Sequence, residues 1–190
     1  MIFTETSLPG VYLIDIEPME DSRGFFARAW CRKEFEAHDL DGPISQINIS
    51  FNPHAGTLRG LHFQREPKAE AKTVRCVRGA IFDVAVDMRE SSPNYLQWVG
   101  QELSAENHRS LYIPRGFAHG YQTLVPDTEV LYPTSEFYSA EAEVGIRYDD
   151  PALAIRWPEP VQVVSEKDAS WPDLAVSPRP DPGGTRSTSC

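Results

Sequence analysis

Prolines and glycines interrupt this sequence every few residues, and this spacing limits the possible folds more than any other feature. The 16 prolines and 12 glycines separate short runs rich in Val, Ile, Phe and Tyr. These runs are GVYLIDI, ISQINISF, KTVRCVRGAIFDVAVDM, YLQWVGQEL, RSLYIP, YQTLV and TEVLYP. Many short strands with closely spaced turns are typical of an all-β sandwich or barrel.

Helical patterning is clear in one stretch only. In CRKEFEAHDL, Phe35 and Leu40 stand among charged residues with rough helical spacing, which predicts a short helix. Since no second strong helix candidate follows, an architecture of alternating strands and helices is disfavoured.

The chain length fits one domain, and the composition changes near its end. A chain of 190 residues can bury a core without disulfide or metal staples. From Trp171 onward the sequence reads WPDLAVSPRPDPGGTRSTSC, whose final part lacks the apolar residues needed for packing. We therefore predict one domain over residues 1–171 and a disordered tail over residues 172–190.

Charge and hydropathy narrow the partners and the location. The formal net charge of −10 argues against non-specific binding to nucleic acid or to an anionic membrane, because both depend on surplus Lys and Arg. No apolar run approaches the ~20 residues that span a bilayer, and MIFTETSLPG lacks a secretory signal pattern. We expect a cytoplasmic protein.

Cys31, Cys76 and Cys190 are far apart and form no CxxC pair, which predicts free thiols.

Strand alternation gives two polar side chains a direction. In KTVRC, Lys72 shares a face with Val74 and Cys76. Parity alone favours a lysine at the strand end that reaches solvent; the alternative is a core-directed ammonium that meets a carboxylate, a ligand or water. Tyr132 shares a face with the apolar residue two positions before it, and Pro133 implies an edge strand or a bulge, because proline removes a ladder donor.

Two histidines lie close to glycines, in GTLRGLHFQ and GFAHGY, where backbones can approach a ligand. Taken alone, His62 and His119 are each more often structural than catalytic. A mononuclear metal site needs a tight ligand set, such as two closely spaced histidines with a nearby carboxylate. Each segment offers one histidine, so we expect no metal site.

The order of several motifs resembles the dTDP-4-dehydrorhamnose 3,5-epimerase family over residues ~8 to ~170. The motifs are DSRGFF, SQINIS, GTLRGLHFQ, KTVRCVRGAIFDVAVDMRESSP, WVGQELSAENHRSLYIPRGFAHGYQTL, EFYSAEAEVGIRYDDPALAIRWP and VSEKD. The resemblance implies an all-β, cupin-type jelly roll with one or a few short helices, which forms a homodimer without a metal or other cofactor. It also implies a nucleotide-linked 4-ketohexose as substrate.

The resemblance assigns chemical roles to four residues. A ketone at carbon 4 acidifies the hydrogens on carbons 3 and 5, so inversion needs a base, an enolate stabiliser and an acid on the opposite face. His62 is similar to the family's proton acceptor, and Asp168 to the acid that orients it. Lys72 matches the lysine beside the ketone oxygen, and Tyr132 the tyrosine that returns a proton.

The resemblance also assigns the substrate contacts. Arg23 and Arg59 match the arginines that bind the phosphates, whose planar forks suit a diphosphate. Because Arg59 has opposite strand parity to His62, we expect a bulge at Gly60 or a rim position for Arg59. Phe26 matches the residue that stacks on the base, with the neighbouring subunit as one source of this side chain. The remaining matches are Gln46 and Asn48 as a ligand-binding pair, with His119, Tyr138, Glu143 and Lys167 at further site positions.

Two departures from the family pattern bear on substrate and outcome. Arg28 stands where the family has a glutamate that contacts the base, so thymine recognition is open and CDP- or GDP-sugars stay candidates; Arg28 as a surface charge without ligand contact is the other reading. Pro133 replaces a polar residue after Tyr132 and biases its predecessor toward extended conformations. A single-centre epimerase is therefore an alternative to inversion at carbons 3 and 5.

Two functions of other classes also stay open. One is a metal-dependent cupin oxygenase, and the other is a non-catalytic cupin that binds a nucleotide sugar. The second is disfavoured because a base, a lysine, a tyrosine and an aspartate are all present.

Overall fold

The computed structural model describes residues 1–174, which form antiparallel sheets with two short helices. The first strands and helix are β1 (Ile2–Glu5), β2 (Tyr12–Asp15), β3 (Met19–Asp21), β4 (Gly24–Phe26), α1 (Arg32–Ala37), β5 (Gln46–Asn52), β6 (Leu58–Gln64) and β7 (Lys72–Arg78). The remaining elements are β8 (Ala80–Asp87), β9 (Trp98–Ser104), β10 (Ser110–Ile113), β11 (Phe117–Thr123), β12 (Thr128–Thr134), β13 (Glu143–Gly145) and α2 (Glu166–Ala169). The all-β prediction is confirmed.

Strands far apart in sequence are neighbours in both large sheets. The six-stranded sheet has the order β1-β2-β10-β7-β12-β5 and the five-stranded sheet the order β13-β6-β11-β8-β9, while β3 and β4 form a separate hairpin. The main core contains Val74, Cys76 and Val130 from the first sheet and Ile81 and Tyr121 from the second. The two sheets therefore pack face to face.

Strand β5 reverses the alternation common in antiparallel sheets, in which apolar side chains face inward and polar ones outward. Ile47, Ile49 and Phe51 are 60%, 64% and 47% exposed, whereas Gln46 and Asn48, which alternate with them, are half-buried. Side chains alternate along a strand, so β5 directs polar groups inward and apolar groups outward. The inward polar groups begin the candidate site.

The bulge expected near Gly60 is present and is confirmed as the reason why residues of opposite parity share a face. His119 pairs with His62 and Tyr121 pairs with Arg59, with a register shift between them. Gly60 has a φ of +108°, and a Cβ there would lie 2.6 Å from the His119 carbonyl oxygen. Only glycine fits this close approach without strain.

The expectation for Pro133 is wrong, because its strand is neither an edge nor bulged at that position. Strand β12 lies between β7 and β5, and its register shift falls between Glu129 and Val130. Beyond Pro133, the amide of Ser135 donates to Ala71 on the β7 side, so alternation turns the proline nitrogen toward β7 as well. Between β12 and β7, the paired residues of β12 skip from Leu131 to Thr134, so the missing proline donor falls in a local gap of this ladder.

The predicted helix is confirmed over a shorter range, Arg32–Ala37, and Phe35 within it is buried. Residues 172–174, which the sequence assigned to a disordered tail, lie against the domain: Asp173 pairs with Arg147 at 3.0 Å, and the Leu174 amide donates to Asp150 at 2.7 Å. Residues 175–190 lie outside the described residues, so the disorder predicted for them stays a prediction.

Two smaller sequence expectations concern cysteines and membranes. Cys31 and Cys76 are free thiols, and Cys190 lies outside the described residues. Within residues 1–174, no helix has the length and apolar character needed to cross a membrane.

Candidate active site

A cleft with two lobes opens between the sheets, and His62, Lys72 and Tyr132 line both lobes. The first lobe, of about 260 Å³, also contains Gln46 and Asn48. The second, of about 410 Å³, contains Arg59, His119 and Asp168. Three of the four residues assigned to the chemistry therefore meet where the lobes join, and the fourth, Asp168, lies in the second lobe.

Asp168 holds His62 from a helix that the sequence did not predict. The four-residue helix α2 begins after Ser165, whose hydroxyl accepts from the Asp168 amide at 3.0 Å. His62 Nε2 lies 2.6 Å from Asp168 Oδ1, and the Gly60 amide donates to Oδ2 at 3.2 Å. Both carboxylate oxygens are thus engaged, which fixes the plane of the imidazole.

The surroundings of Asp168 favour its ionised form. Burial would raise the pKa of this carboxyl, but the hydrogen bond and charge of His62 and the Gly60 amide outweigh burial and lower the pKa below its ordinary value. An ionised Asp168 can only accept, so Nε2 of His62 donates this hydrogen bond, and in the neutral imidazole Nδ1 is left as an acceptor.

Lys72 is buried, so the reading in which its ammonium reaches solvent is wrong. Its side chain is 11% exposed, and Nζ lies 2.9 Å from Glu70 Oε1. Nζ also donates to the His62 carbonyl oxygen at 3.1 Å. The alternative of a core-directed ammonium that meets a carboxylate is the one observed.

Tyr132 presents a free hydroxyl to the cleft. It pairs with Asn48 across β12 and β5, and its hydroxyl makes no side-chain hydrogen bond within residues 1–174. Burial raises the pKa of Tyr132, although the charge of Arg59 opposes the shift. The phenol therefore stays protonated at neutral pH and can donate.

A second histidine–aspartate pair stands beside the first. His119 pairs directly with His62 on the neighbouring strand, and His119 Nε2 lies 2.7 Å from Asp83 Oδ1. Asp83 has no exposed surface, and burial raises its pKa while His119 opposes the shift. The sequence interpretation missed Asp83, although an aspartate inside the apolar run AIFDVAV is a signal that could have found it.

Four predicted ligand contacts cluster at the rim of the first lobe. Glu143 accepts from Lys167 Nζ at 2.7 Å and from the Tyr138 hydroxyl at 2.9 Å. Gln46 accepts from the Tyr138 amide. The hydrogen bond and charge of Glu143 raise the pKa of Lys167, which therefore adds a stable positive charge near the entrance.

The predicted phosphate and base contacts separate into two places. Arg59 lines the second lobe, where its Nε donates to Asn52 at 2.7 Å. Arg23 and Phe26 lie on the exposed β3–β4 hairpin and line neither lobe. Arg28 follows that hairpin and pairs with Glu34 at 3.1 Å. Within one chain, therefore, the site lacks two of its predicted substrate contacts.

No candidate metal centre occurs within residues 1–174, since no group of three or more His, Cys, Asp or Glu side chains is placed to hold an ion.

Comparisons with known proteins find a matching family. The family model for dTDP-4-dehydrorhamnose 3,5-epimerase matches residues 5–176. A relative of that name from Sinorhizobium fredii is 47% identical over 179 residues, which cover 94% of this chain and 92% of the relative.

Solved structures share the fold. The crystal structure of dTDP-4-dehydrorhamnose 3,5-epimerase from Bacillus anthracis, with TDP and PPi bound, has a TM-score of 0.87 at 43% identity and covers 91% of this chain and 99% of its own. A 3'-monoepimerase from Streptomyces bikiniensis in complex with dTDP-quinovose has a TM-score of 0.83 at 30% identity, covering 90% of this chain and 87% of its own. The jelly-roll prediction is confirmed.

Proposed function

The chain belongs to the dTDP-4-dehydrorhamnose 3,5-epimerase family of isomerases, and we propose that it inverts carbons 3 and 5 of a dTDP-linked 4-keto-6-deoxyhexose with His62 as base and Tyr132 as acid. One observation carries this assignment of roles. His62, Lys72 and Tyr132 line both lobes of the cleft, while Asp168 holds the imidazole at 2.6 Å.

The proton transfers follow from this geometry. His62 donates through Nε2 to Asp168, so Nδ1 takes the proton from carbon 3 or carbon 5. The C–H electron pair forms a double bond to carbon 4, the carbonyl π pair moves to the carbon 4 oxygen, and the Lys72 ammonium donates to the resulting enolate oxygen. The Tyr132 hydroxyl then delivers a proton to the opposite face of the carbon. Solvent takes the proton from His62 and reprotonates Tyr132 before the second centre is inverted.

Incorporation of solvent deuterium tests this proposal directly. Substrate incubated with the protein in deuterated water is expected to gain deuterium at carbons 3 and 5, because each inversion passes through an enolate. Deuterium at one carbon only would establish a single-centre epimerase, and none at either carbon would favour a binding protein. Stoichiometric iron or another transition metal in the purified protein would instead favour an oxygenase.

The same assay applied to dTDP-, CDP- and GDP-linked substrates tests nucleotide preference. Arg28 pairs with Glu34 at 3.1 Å, which supports its reading as a surface charge. We therefore expect the dTDP-linked sugar to react fastest. The cytoplasmic location expected from the sequence stays a prediction.

The outer face of the six-stranded sheet supports a homodimer. Ile47, Ile49 and Phe51 form an exposed apolar row on the edge strand β5, of the kind that marks protein interfaces. Across the ladder, Ile49 pairs with Leu131, which pairs with Arg75, so the outer face continues from this row onto β12 and β7. A second copy would cover the apolar row and bring its β3–β4 hairpin to the incomplete cleft.

Ile49→Asp is expected to dissociate this dimer. A carboxylate buried without a partner costs several kcal/mol, so the dimer dissociation constant should rise at least about 100-fold, as measured by analytical ultracentrifugation. Ile2→Asp, on the opposite edge strand β1 and 52% exposed, is the matched control and should stay dimeric. A dimer unaffected by Ile49→Asp would place the interface elsewhere.

A further inference from the structure

Glu70 is a buried carboxylate on the floor of the first lobe that the proposed chemistry does not use. It precedes β7, is 8% exposed and lines the lobe with Lys72 and Tyr132. Burial of a carboxylate is costly unless the group gains strong partners. The partners of Glu70 therefore indicate what its burial achieves.

Lys72 is the one side-chain partner that Glu70 has within residues 1–174. Oε1 lies 2.9 Å from Lys72 Nζ, whereas Oε2 is buried without any hydrogen-bond partner in that part of the chain. A carboxylate that served general stability would be expected to have both oxygens satisfied. The ion pair with Lys72 is thus the interaction that offsets the cost of burying Glu70.

The donors of Lys72 can be counted. An ammonium has three N–H donors, and two of them reach the His62 carbonyl oxygen at 3.1 Å and Glu70 Oε1 at 2.9 Å. These acceptors lie on two different segments of the chain, so together they fix the direction of the third donor. That donor is left for the cleft that Lys72 lines.

We propose that Glu70 is a positioning residue, which holds the Lys72 ammonium so that its remaining N–H points at the substrate ketone. This inference rests on the proposed function, because the substrate ketone is the target of that N–H only in the proposed reaction. Glu70 itself acts through Lys72, since its free oxygen is shielded from the cleft by the surrounding protein.

The test compares two variants of similar size. Glu70→Gln keeps an oxygen acceptor for Lys72, and Glu70→Leu removes it. For Glu70→Leu we expect kcat to fall about 10- to 100-fold, because small displacements of a positioned group have effects of this size, with KM within about twofold. Glu70→Gln should retain most of the wild-type kcat. Glu102→Leu, an exposed site on β9, is the control for the substitution itself.

A second readout needs no substrate. The NMR order parameter of the Lys72 ammonium should fall in Glu70→Leu and stay near the wild-type value in Glu70→Gln. Glu70→Ala repeats the comparison if the leucine variant does not fold, as judged by thermal unfolding. A wild-type protein that incorporates no deuterium would overturn the proposed function, while the order parameter would still decide whether Glu70 positions Lys72.

Two outcomes would overturn the inference. If Glu70→Leu keeps both the wild-type kcat and an ordered ammonium, Lys72 is held without Glu70. If Glu70→Leu raises KM while kcat is unchanged, Glu70 contributes to binding of the ground state and not to the position of Lys72.

Discussion

Replacement of His62 by Asn is expected to lower deuterium incorporation at carbons 3 and 5 about 1,000-fold, in the range typical for loss of a general base. Asparagine can still accept or donate a hydrogen bond to Asp168, but it has no nitrogen basic enough to take a proton from carbon. Because the same imidazole is assigned to both carbons, both exchange rates should fall together. The measurement is NMR of substrate incubated in deuterated water.

Binding provides the control for this variant. The imidazole stands at the junction of the lobes, while Arg59 lines the second lobe. Affinity for dTDP alone should therefore stay within about twofold of wild type, as expected when a transition-state interaction is removed. His54→Asn, at an exposed position, should retain full exchange. Exchange above a tenth of the wild-type rate in His62→Asn would contradict the role of His62 as base.

Local patterns in the sequence were sufficient for much of this arrangement. Alternation along KTVRC placed Lys72 with Val74 and Cys76, and all three face the interior. The parity conflict between Arg59 and His62 predicted the bulge that the pairing of β6 with β11 contains. These predictions succeed because strand periodicity and glycine conformation are local properties of the chain.

Contacts between distant segments could not be derived in the same way. Parity gave Lys72 a direction but favoured solvent for its ammonium, since one of its two acceptors, the His62 carbonyl oxygen, belongs to strand β6 of the other sheet. The link from Asp168 to His62 spans more than one hundred positions and came from the family resemblance alone. Pro133 was misjudged because the order of strands places β12 inside its sheet, and strand order is not a local property.

Hairpin residues show a further limit. Arg23 and Phe26 were assigned to substrate binding by resemblance, yet they line neither lobe of their own chain. One chain cannot reveal which surface a second copy covers. The inverted alternation of β5 was visible in ISQINISF, where apolar and polar residues alternate, but the sequence does not state which of the two faces is buried.

Tyr132→Phe is expected to separate deuterium exchange from inversion. Loss of the hydroxyl removes the acid on one face of the ring, while His62, Asp168 and Lys72 still form the enolate on the other. The conjugate acid of His62, after exchange with solvent, can return deuterium to the face from which the proton was removed. Substrate should therefore gain deuterium with its configuration retained, at a rate within about tenfold of wild type, while inversion falls about 100- to 10,000-fold.

The ratio of the two rates, from NMR of label and configuration in one sample, distinguishes this assignment from its alternatives. Tyr148→Phe, at a half-buried position outside the cleft, should leave the ratio unchanged. If Tyr132→Phe inverted its substrate at the wild-type rate, water or another group would be the acid. If exchange and inversion fell by the same factor, Tyr132 would act in enolate formation as well. A raised ratio of exchange to inversion is expected only when the base and the acid are separate side chains. His62 and Tyr132 lie on different sheets, and this placement makes such a division of roles possible.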